Sequence, residues 1–156
     1  MVIKESKMTV QFRHYNYPED YDRVSRILIE HHQRGNRDGN WLEPVWEYMH
    51  FHPSLDRTAL SRIGLWEDHG RIVGAVHYES RLGEAFFEFD PEYLHLREEM
   101  LLYAEQELFA VSEQDGHRFL SVYVNDFDAE FQDLVRSRRY VRDQNNERPM
   151  SRFDIP

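Results

Sequence analysis

The alternation of apolar and polar residues is most regular over residues 84–89, with the sequence EAFFEF. Residues spaced by two share one face of a β-strand. One face therefore carries the apolar residues Ala85, Phe87 and Phe89. The opposite face carries Phe86 between Glu84 and Glu88, so the segment predicts a strand with one apolar and one mixed face.

A helix-start signal follows this strand directly. Asp90-Pro91-Glu92 combines a residue that caps free backbone N–H groups, a proline tolerated in the first turn and an acid that favours the positive helix end. Beyond it, one apolar helical stripe is formed by Leu94, Leu101, Ala104, Leu108 and Val111. We therefore predict a long helix that ends near Val111, with Leu101, Ala104 and Leu108 buried on the sheet.

The rest of the chain predicts short strands and amphipathic helices in alternation. The predicted elements are a strand at Val10–Tyr15, a helix that begins at Tyr17–Asp20 and carries Tyr21, Val24, Leu28 and His31 on one face, a helix at Trp41–His50, strands at Ile63–Glu67 and Arg71–Glu79, a strand at Arg118–Val124, a helix at Asp128–Arg138, a strand at Arg139–Val141 and a closing strand at Met150–Phe153. Together they predict one domain over residues 1–156. Its fold class is α/β (α+β), a mixed, mostly antiparallel sheet of six or seven strands flanked by about four helices.

Composition narrows the classes of function. The chain has 156 residues, no cysteine and a net charge of −10. Without cysteine there is no disulfide, thiolate nucleophile or cysteine-bound zinc, and the acidic balance argues against a nucleic-acid or anionic-membrane partner. No apolar run is long enough to span a bilayer and Met1–Met8 lacks a signal-peptide core, so we expect a cytoplasmic protein. Histidine pairs occur at His31-His32 and at His50 and His52, but no third ligand has motif spacing, so no metal site is predicted.

Several segments resemble the GNAT acetyltransferase superfamily. In that family the strand before the cofactor loop ends in an apolar residue, any residue, a proline and an aromatic, which Phe89-Asp90-Pro91-Glu92-Tyr93 resembles. The helix after the loop carries Leu-Leu and a later Glu, similar to Leu101-Leu102 and Glu105. The hairpin over Leu65–Gly74 is similar to the second and third strands of the family. The resemblance spans most of Val10–Phe153 and implies a GNAT-like sheet.

The resemblance also implies where acetyl-CoA would bind. In the family, backbone N–H groups of the loop hold the pyrophosphate, and the corresponding residues here are Leu94, His95, Leu96, Arg97, Glu98 and Glu99. Leu94 stands where the family has Arg or Gln, and Arg97 and Glu99 stand where it has small residues. Glycine lets a backbone approach a phosphate closely, and larger side chains obstruct that approach. We therefore expect acetyl-CoA binding to be weak or lost; the alternative is a plain amphipathic helix without a ligand at its start.

Candidate catalytic residues come from the same resemblance. The general base of the family is commonly a Glu on the fourth strand, which here implies Glu84 or Glu88. The alternative for both is an exposed strand carboxylate without a catalytic role. The backbone groups of Phe87 and Phe89 would pair with the pantetheine arm of the cofactor. Val135 stands where the family often has the Tyr that protonates the leaving thiolate.

Two functions follow from this resemblance. The first is an N-acetyltransferase that moves an acyl group from acetyl-CoA to the amine of a small molecule or peptide. The second is a catalytically inactive GNAT-fold domain with a binding or structural role. Such a domain would be half of a tandem protein or of a homodimer, with a second GNAT domain as its partner.

Overall fold

The computed structural model describes residues 10–148 and has a central β-sheet covered by helices. In chain order the elements are β1 (Gln11–His14), α1 (Tyr21–Glu30), α2 (Glu43–Phe51), a 3-10 helix (Arg57–Arg62), β2 (Gly64–Asp68), β3 (Arg71–His77), β4 (Glu84–Phe89), a 3-10 helix (Pro91–Leu96), α3 (Arg97–Glu107), β5 (Ala110–Val111), β6 (Arg118–Phe119), β7 (Ser121–Val122), α4 (Ala129–Ser137) and a 3-10 helix (Gln144–Asn146). The fold is mixed α+β. The predicted strand at Met150–Phe153 lies outside the described residues.

The main sheet has five strands in the order β1-β2-β3-β4-β7. Neighbouring strands are antiparallel except β4 and β7, which pair in parallel through Glu84 with Ser121 and Ala85 with Val122. Strands β5 and β6 form a separate two-stranded sheet. The prediction of a mixed, mostly antiparallel sheet is confirmed. Within residues 10–148 the sheet has five strands, fewer than the six or seven predicted for the whole chain.

The predicted strand Arg118–Val124 divides between two sheets. Its first part pairs with β5 and its second part with β4. Gly83 lies at the division, since its N–H donates to the Leu108 carbonyl at 2.7 Å and its carbonyl accepts from the Ser121 N–H at 2.9 Å. Its φ is +105°, and a Cβ built there would lie 2.9 Å from the Ala110 Cβ and from the Phe119 ring. Only glycine meets both conditions without displacing a neighbour.

The predicted strand at Arg139–Val141 is wrong. Helix α4 ends in a turn in which the Arg139 N–H donates to the Arg136 carbonyl and the Tyr140 N–H donates to the Val135 carbonyl. Arg139 has a φ of +69°, in the left-handed region that closes helices. A strand cannot continue through that conformation, and Val141 beyond it is exposed.

The helix predicted after Asp90 forms in two parts. The Asp90 carboxylate accepts from the Glu92 N–H at 3.0 Å, which starts the 3-10 turn, and Tyr93 interrupts the helical geometry before α3 begins. The burial prediction is confirmed, because Leu101, Ala104 and Leu108 are all fully buried. The two ends of the predicted stripe, Leu94 and Val111, are exposed instead. Leu94 lies in the 3-10 turn and Val111 in β5, so neither is in α3.

The two faces of β4 contact different helices. Phe87 packs edge-on against Phe131 of α4, with ring centres 5.0 Å apart. On the opposite face, Phe86 stacks on His77, whose ring contacts Trp46 of α2. This second face, predicted as mixed, is therefore part of the core.

None of the helices within residues 10–148 combines the length and the apolar composition that crossing a membrane requires.

Candidate functional site

The outer edge of β4 is where the resemblance predicts the cofactor, and this edge is occupied by the side chain of Asn40. Its Nδ2 donates to the Phe89 carbonyl and its Oδ1 accepts from the Phe89 N–H, both at 2.8 Å. The amide thus makes the two hydrogen bonds that a neighbouring strand would make. Asn40 is 1% exposed, so both backbone groups of Phe89 are paired away from water.

Residues 38–41, called here the 38–41 segment, hold Asn40 in this position. The Asp38 carboxylate accepts from the Gln33 N–H at 2.9 Å and fixes the start of the segment. The Gly39 carbonyl accepts from the Asn125 Nδ2 at 2.9 Å. Because Asn125 follows β7, the segment lies between β4 and the chain that leaves β7. It fills the opening that forms where these two strands diverge.

Glu88 is fully buried and paired on both oxygens. Its Oε1 is 2.8 Å from the His77 Nε2, and its Oε2 accepts from the Trp41 N–H at 2.8 Å. The exposed strand carboxylate expected as the alternative is therefore wrong for this residue. Glu88 and His77 are both 0% exposed.

One proton is shared between Glu88 and His77. The His77 Nδ1 lies 3.0 Å from the Tyr78 carbonyl, which only accepts, so Nδ1 carries a hydrogen. The contact between Nε2 and Oε1 then needs one proton, on either atom. Burial raises the pKa of Glu88, although the hydrogen bond from His77 opposes this shift. The pair is therefore held as a neutral unit or as an internal ion pair, with no net charge in either form.

Aromatic rings enclose this pair. The ring centre of His77 lies 4.5 Å from Trp41, 5.2 Å from Trp46 and 5.7 Å from Phe86. A substrate would have to displace at least one of these rings to reach Glu88. In this conformation, Glu88 can store a proton but cannot exchange it with an acceptor amine.

Glu84, the other candidate base, fixes a turn. Its Oε1 accepts from the Glu79 N–H at 3.1 Å and from the Ser80 N–H at 2.9 Å. The carboxylate thereby closes the connection between β3 and β4. Glu84 and Glu88 lie at opposite ends of β4, and the structure does not bring them together.

The predicted pyrophosphate loop is replaced by the 3-10 turn and the start of α3. Arg97 makes a two-point ion pair with Asp128, the residue that caps α4, at 3.1 and 2.5 Å. Its guanidinium also lies 5.2 Å from the ring centres of Phe89 and Phe131. Glu99 accepts from the Trp66 Nε1 at 3.0 Å. These two side chains join α3 to its neighbours, and the residues present do not fit a pyrophosphate cradle.

The other residues of the predicted loop do not converge on a ligand. Leu96 is buried in the core, whereas Leu94, His95 and Glu98 are exposed. Val135 is partly buried against the core and has no proton to donate. Among the predicted site residues, Phe89 contacts Arg97 through a cation–π contact and Phe87 through stacked rings 6.4 Å apart.

Two residues at the centre of the site, Asn40 and His77, were not predicted. The sequence pattern does single out His77, because this polar residue directly follows the apolar run Ile72–Val76 within one predicted strand. A polar side chain in such a run requires a buried partner. No pattern singles out Asn40, since it follows Gly39 in a polar segment that predicts an ordinary loop.

A second buried histidine lies beside the first. The His50 Nδ1 donates to the Trp46 carbonyl at 2.8 Å, so its Nε2 accepts from the Tyr15 hydroxyl at 2.8 Å. Burial lowers the pKa of His50 from 6.5 to about 4. A neutral imidazole is therefore part of the folded core.

We expect this histidine to make the fold acid-sensitive. The pKa of His50 is lower in the folded chain than in the unfolded chain. The stability that the neutral ring contributes is therefore fully present above pH 6.5 and is lost as pH falls through about 4. The total loss is about 3 kcal/mol. An NMR titration of the His50 ring should give a midpoint near 4, and His50→Gln should flatten urea-unfolding stability over this pH range. A midpoint near the ordinary value would contradict the assignment.

The fold and site define a mixed α+β domain whose sheet opening is filled by its own 38–41 segment. Within residues 10–148, no three histidine, aspartate or glutamate side chains converge as ligands for a metal ion. Comparison of the chain with protein-family models and with curated proteins found no match.

Proposed function

We propose that this chain is a GNAT-like domain without acyl-transfer activity of its own. It serves as the non-catalytic half of a two-domain or dimeric N-acetyltransferase. The observation that carries the proposal is the pairing of Asn40 with both backbone groups of Phe89. The resemblance assigns those groups to the pantetheine arm of acetyl-CoA, and here they already have a partner.

The energetics favour the intramolecular partner. Pantetheine would exchange two hydrogen bonds for two of the same kind, so the exchange itself gains little. Asn40 is tethered next to Phe89 by the chain, whereas a free ligand must lose translational and rotational freedom to bind. Acetyl-CoA is also an anion, and the chain carries a net charge of −10. Long-range repulsion therefore adds to the cost of opening the site.

The backbone at Arg139 supports the GNAT-like part of the proposal. The resemblance places Arg139, in the turn after α4, where the family has a glycine. Arg139 has a φ of +69°, a conformation that glycine adopts without strain and that other residues rarely adopt. The backbone at Arg139 therefore has a conformation that suits the family's glycine, although the residue here is arginine.

A second candidate is an N-acetyltransferase in which the 38–41 segment moves aside when substrates bind. Glu88 favours it, because a general base acts best when its pKa is raised toward neutral pH, and burial raises the pKa of this carboxyl. The acceptor would be a small amine, whose ammonium proton would pass to Glu88. This candidate requires a rearrangement of Trp41, whose N–H is bound to Glu88.

Titration with acetyl-CoA separates the two candidates. For the wild-type chain we expect no saturable heat below the millimolar range, and no acetylation of a panel of small amines. Asn40→Ala, which frees the Phe89 backbone groups, should also show no turnover. Asn16→Ala, which changes an exposed asparagine, serves as the control.

Two results would contradict the proposal. Micromolar binding of acetyl-CoA to the wild-type chain would show that another part of the chain holds the cofactor. Turnover by Asn40→Ala, with none by Asn16→Ala, would favour the second candidate and identify the 38–41 segment as a removable block.

A further inference from the structure

A shallow cavity of about 270 Å³, widely open to solvent, is formed at the C-terminal ends of α3 and α4. The Arg97–Asp128 ion pair joins the opposite ends of the two helices. Glu105 of α3 and the chain after α4 form one wall, and β6 forms the other. Three arginines line it, namely Arg118, Arg138 and Arg139, together with the aromatic residues Phe109, Phe119 and Tyr140. The cavity therefore combines cationic and apolar walls.

The charge of this cavity is opposite to that of the chain. Arg138 is paired with Glu105, whereas within residues 10–148 neither Arg118 nor Arg139 has a carboxylate within ion-pair distance. Three arginines and one glutamate leave an excess of two positive charges, in a chain of net charge −10. The C-terminal ends of α3 and α4 offset part of this excess with their partial negative charge. An anion is still attracted here more than elsewhere on a mostly acidic surface.

Arg118 is held in a fixed orientation. Its guanidinium lies 4.3 Å from the ring centre of Phe109, a cation–π contact. A guanidinium that stacks on a ring by its face keeps its N–H donors free at its edge. These donors match the two oxygens of a carboxylate.

Arg139 lies in the cavity wall at a conformational cost. Its φ of +69° is uncommon for a residue other than glycine. Strained backbone conformations persist when the surrounding structure imposes them, and they are frequent at binding sites. The backbone conformation closes α4, whereas the side chain is exposed and has no ion pair among the described residues, so it is free to contact a ligand.

We propose that this cavity binds a small carboxylate with a single aromatic or branched apolar group. Arg118 and Arg139 hold the carboxylate, and Phe119, which is 49% exposed, covers the apolar group. The volume of about 270 Å³ leaves room for one small ligand of this kind.

The test uses phenylacetate and its uncharged analogue phenylacetamide as probes. Binding of each probe to the whole chain is measured by ¹⁵N–¹H NMR. Phenylacetate should shift the amides of the cavity residues and bind at least about tenfold more tightly than phenylacetamide. Arg118→Gln and Arg139→Gly should each weaken phenylacetate binding about tenfold or more. Arg136→Gln, an equal change of charge on an exposed arginine of α4, should leave the affinity unchanged.

Arg139→Gly also distinguishes binding from folding. Because glycine adopts this φ without strain, the variant should melt roughly 2–4 °C higher than wild type while its affinity falls. Equal binding of the two probes, or an equal loss in Arg136→Gln, would overturn the proposal. If phenylacetate does not bind and Arg118→Gln instead changes the sedimentation of the chain, the cavity is a contact surface for protein and not a ligand site.

Discussion

Asn40→Ala is expected to lower the free energy of unfolding by about 2–4 kcal/mol. The substitution removes the only side chain that pairs with the Phe89 N–H and carbonyl among the described residues. Both groups would remain buried without a partner, and each such group costs about 1–3 kcal/mol unless water enters. Urea unfolding at neutral pH measures the loss.

Two comparisons make this result specific. Asn16→Ala, at an exposed position, should change the stability by less than about 0.5 kcal/mol. Asn40→Asp keeps the shape but replaces the donor with a second acceptor facing the Phe89 carbonyl. It should be at least as destabilising as Asn40→Ala at neutral pH and should recover in part in acid. A small effect of both Asn40 variants would mean that water can replace the side chain.

Glu88→Leu is expected to cost about 3–5 kcal/mol, whereas Glu88→Gln should cost less than about 1 kcal/mol. Leucine leaves the Trp41 N–H and the His77 Nε2 without their partner. Glutamine satisfies both, because its carbonyl can accept from Trp41 and its amide can donate to a His77 that carries its proton on Nδ1. Glutamine thus imitates the protonated form of Glu88.

The pH dependence of stability, compared between wild type and Glu88→Gln, shows whether Glu88 is protonated in the folded chain. The folded pKa of Glu88 is raised above its ordinary value of 4.5, so its contribution to stability is fully present below that pH. The contribution is lost as pH rises through the folded pKa. Glu88→Gln has no such group, so its stability relative to wild type should improve as pH rises from 4.5 into the neutral range. A constant difference over that range would show that Glu88 is ionised when folded.

Local patterns predicted most of the main elements. The alternation in β4 and the stripe that buries Leu101, Ala104 and Leu108 depend on contacts with a single packing surface, and periodicity reports these directly. The division of the strand at Arg118–Val124 depends instead on Gly83, a residue distant in sequence. Left-handed positions that close a helix are usually glycine, and Arg139 is not, so no local pattern predicted that α4 closes there.

The site was harder to predict than the fold. The resemblance led to Glu88 and Phe89, but their partners come from residues 40, 41 and 77. These residues lie outside Leu65–Gly74 and Phe89–Glu105, the two segments whose residues carry the resemblance. Whether a carboxylate on a strand is exposed or buried depends on what covers that face, which alternation in one strand does not report. For Arg97, the residue type suggested an obstructed loop, and only its contact with Asp128 showed a structural role.

The position of Gly83 has a consequence for sequence variation in this chain. It connects the end of α3, the start of β4 and the first residue of β7, in a loop where substitutions are usually tolerated. Since even a methyl group would meet Ala110 and Phe119 at 2.9 Å, selection for folded protein should remove every substitution there. In a library of single variants, this loop position should be depleted as strongly as the core residues.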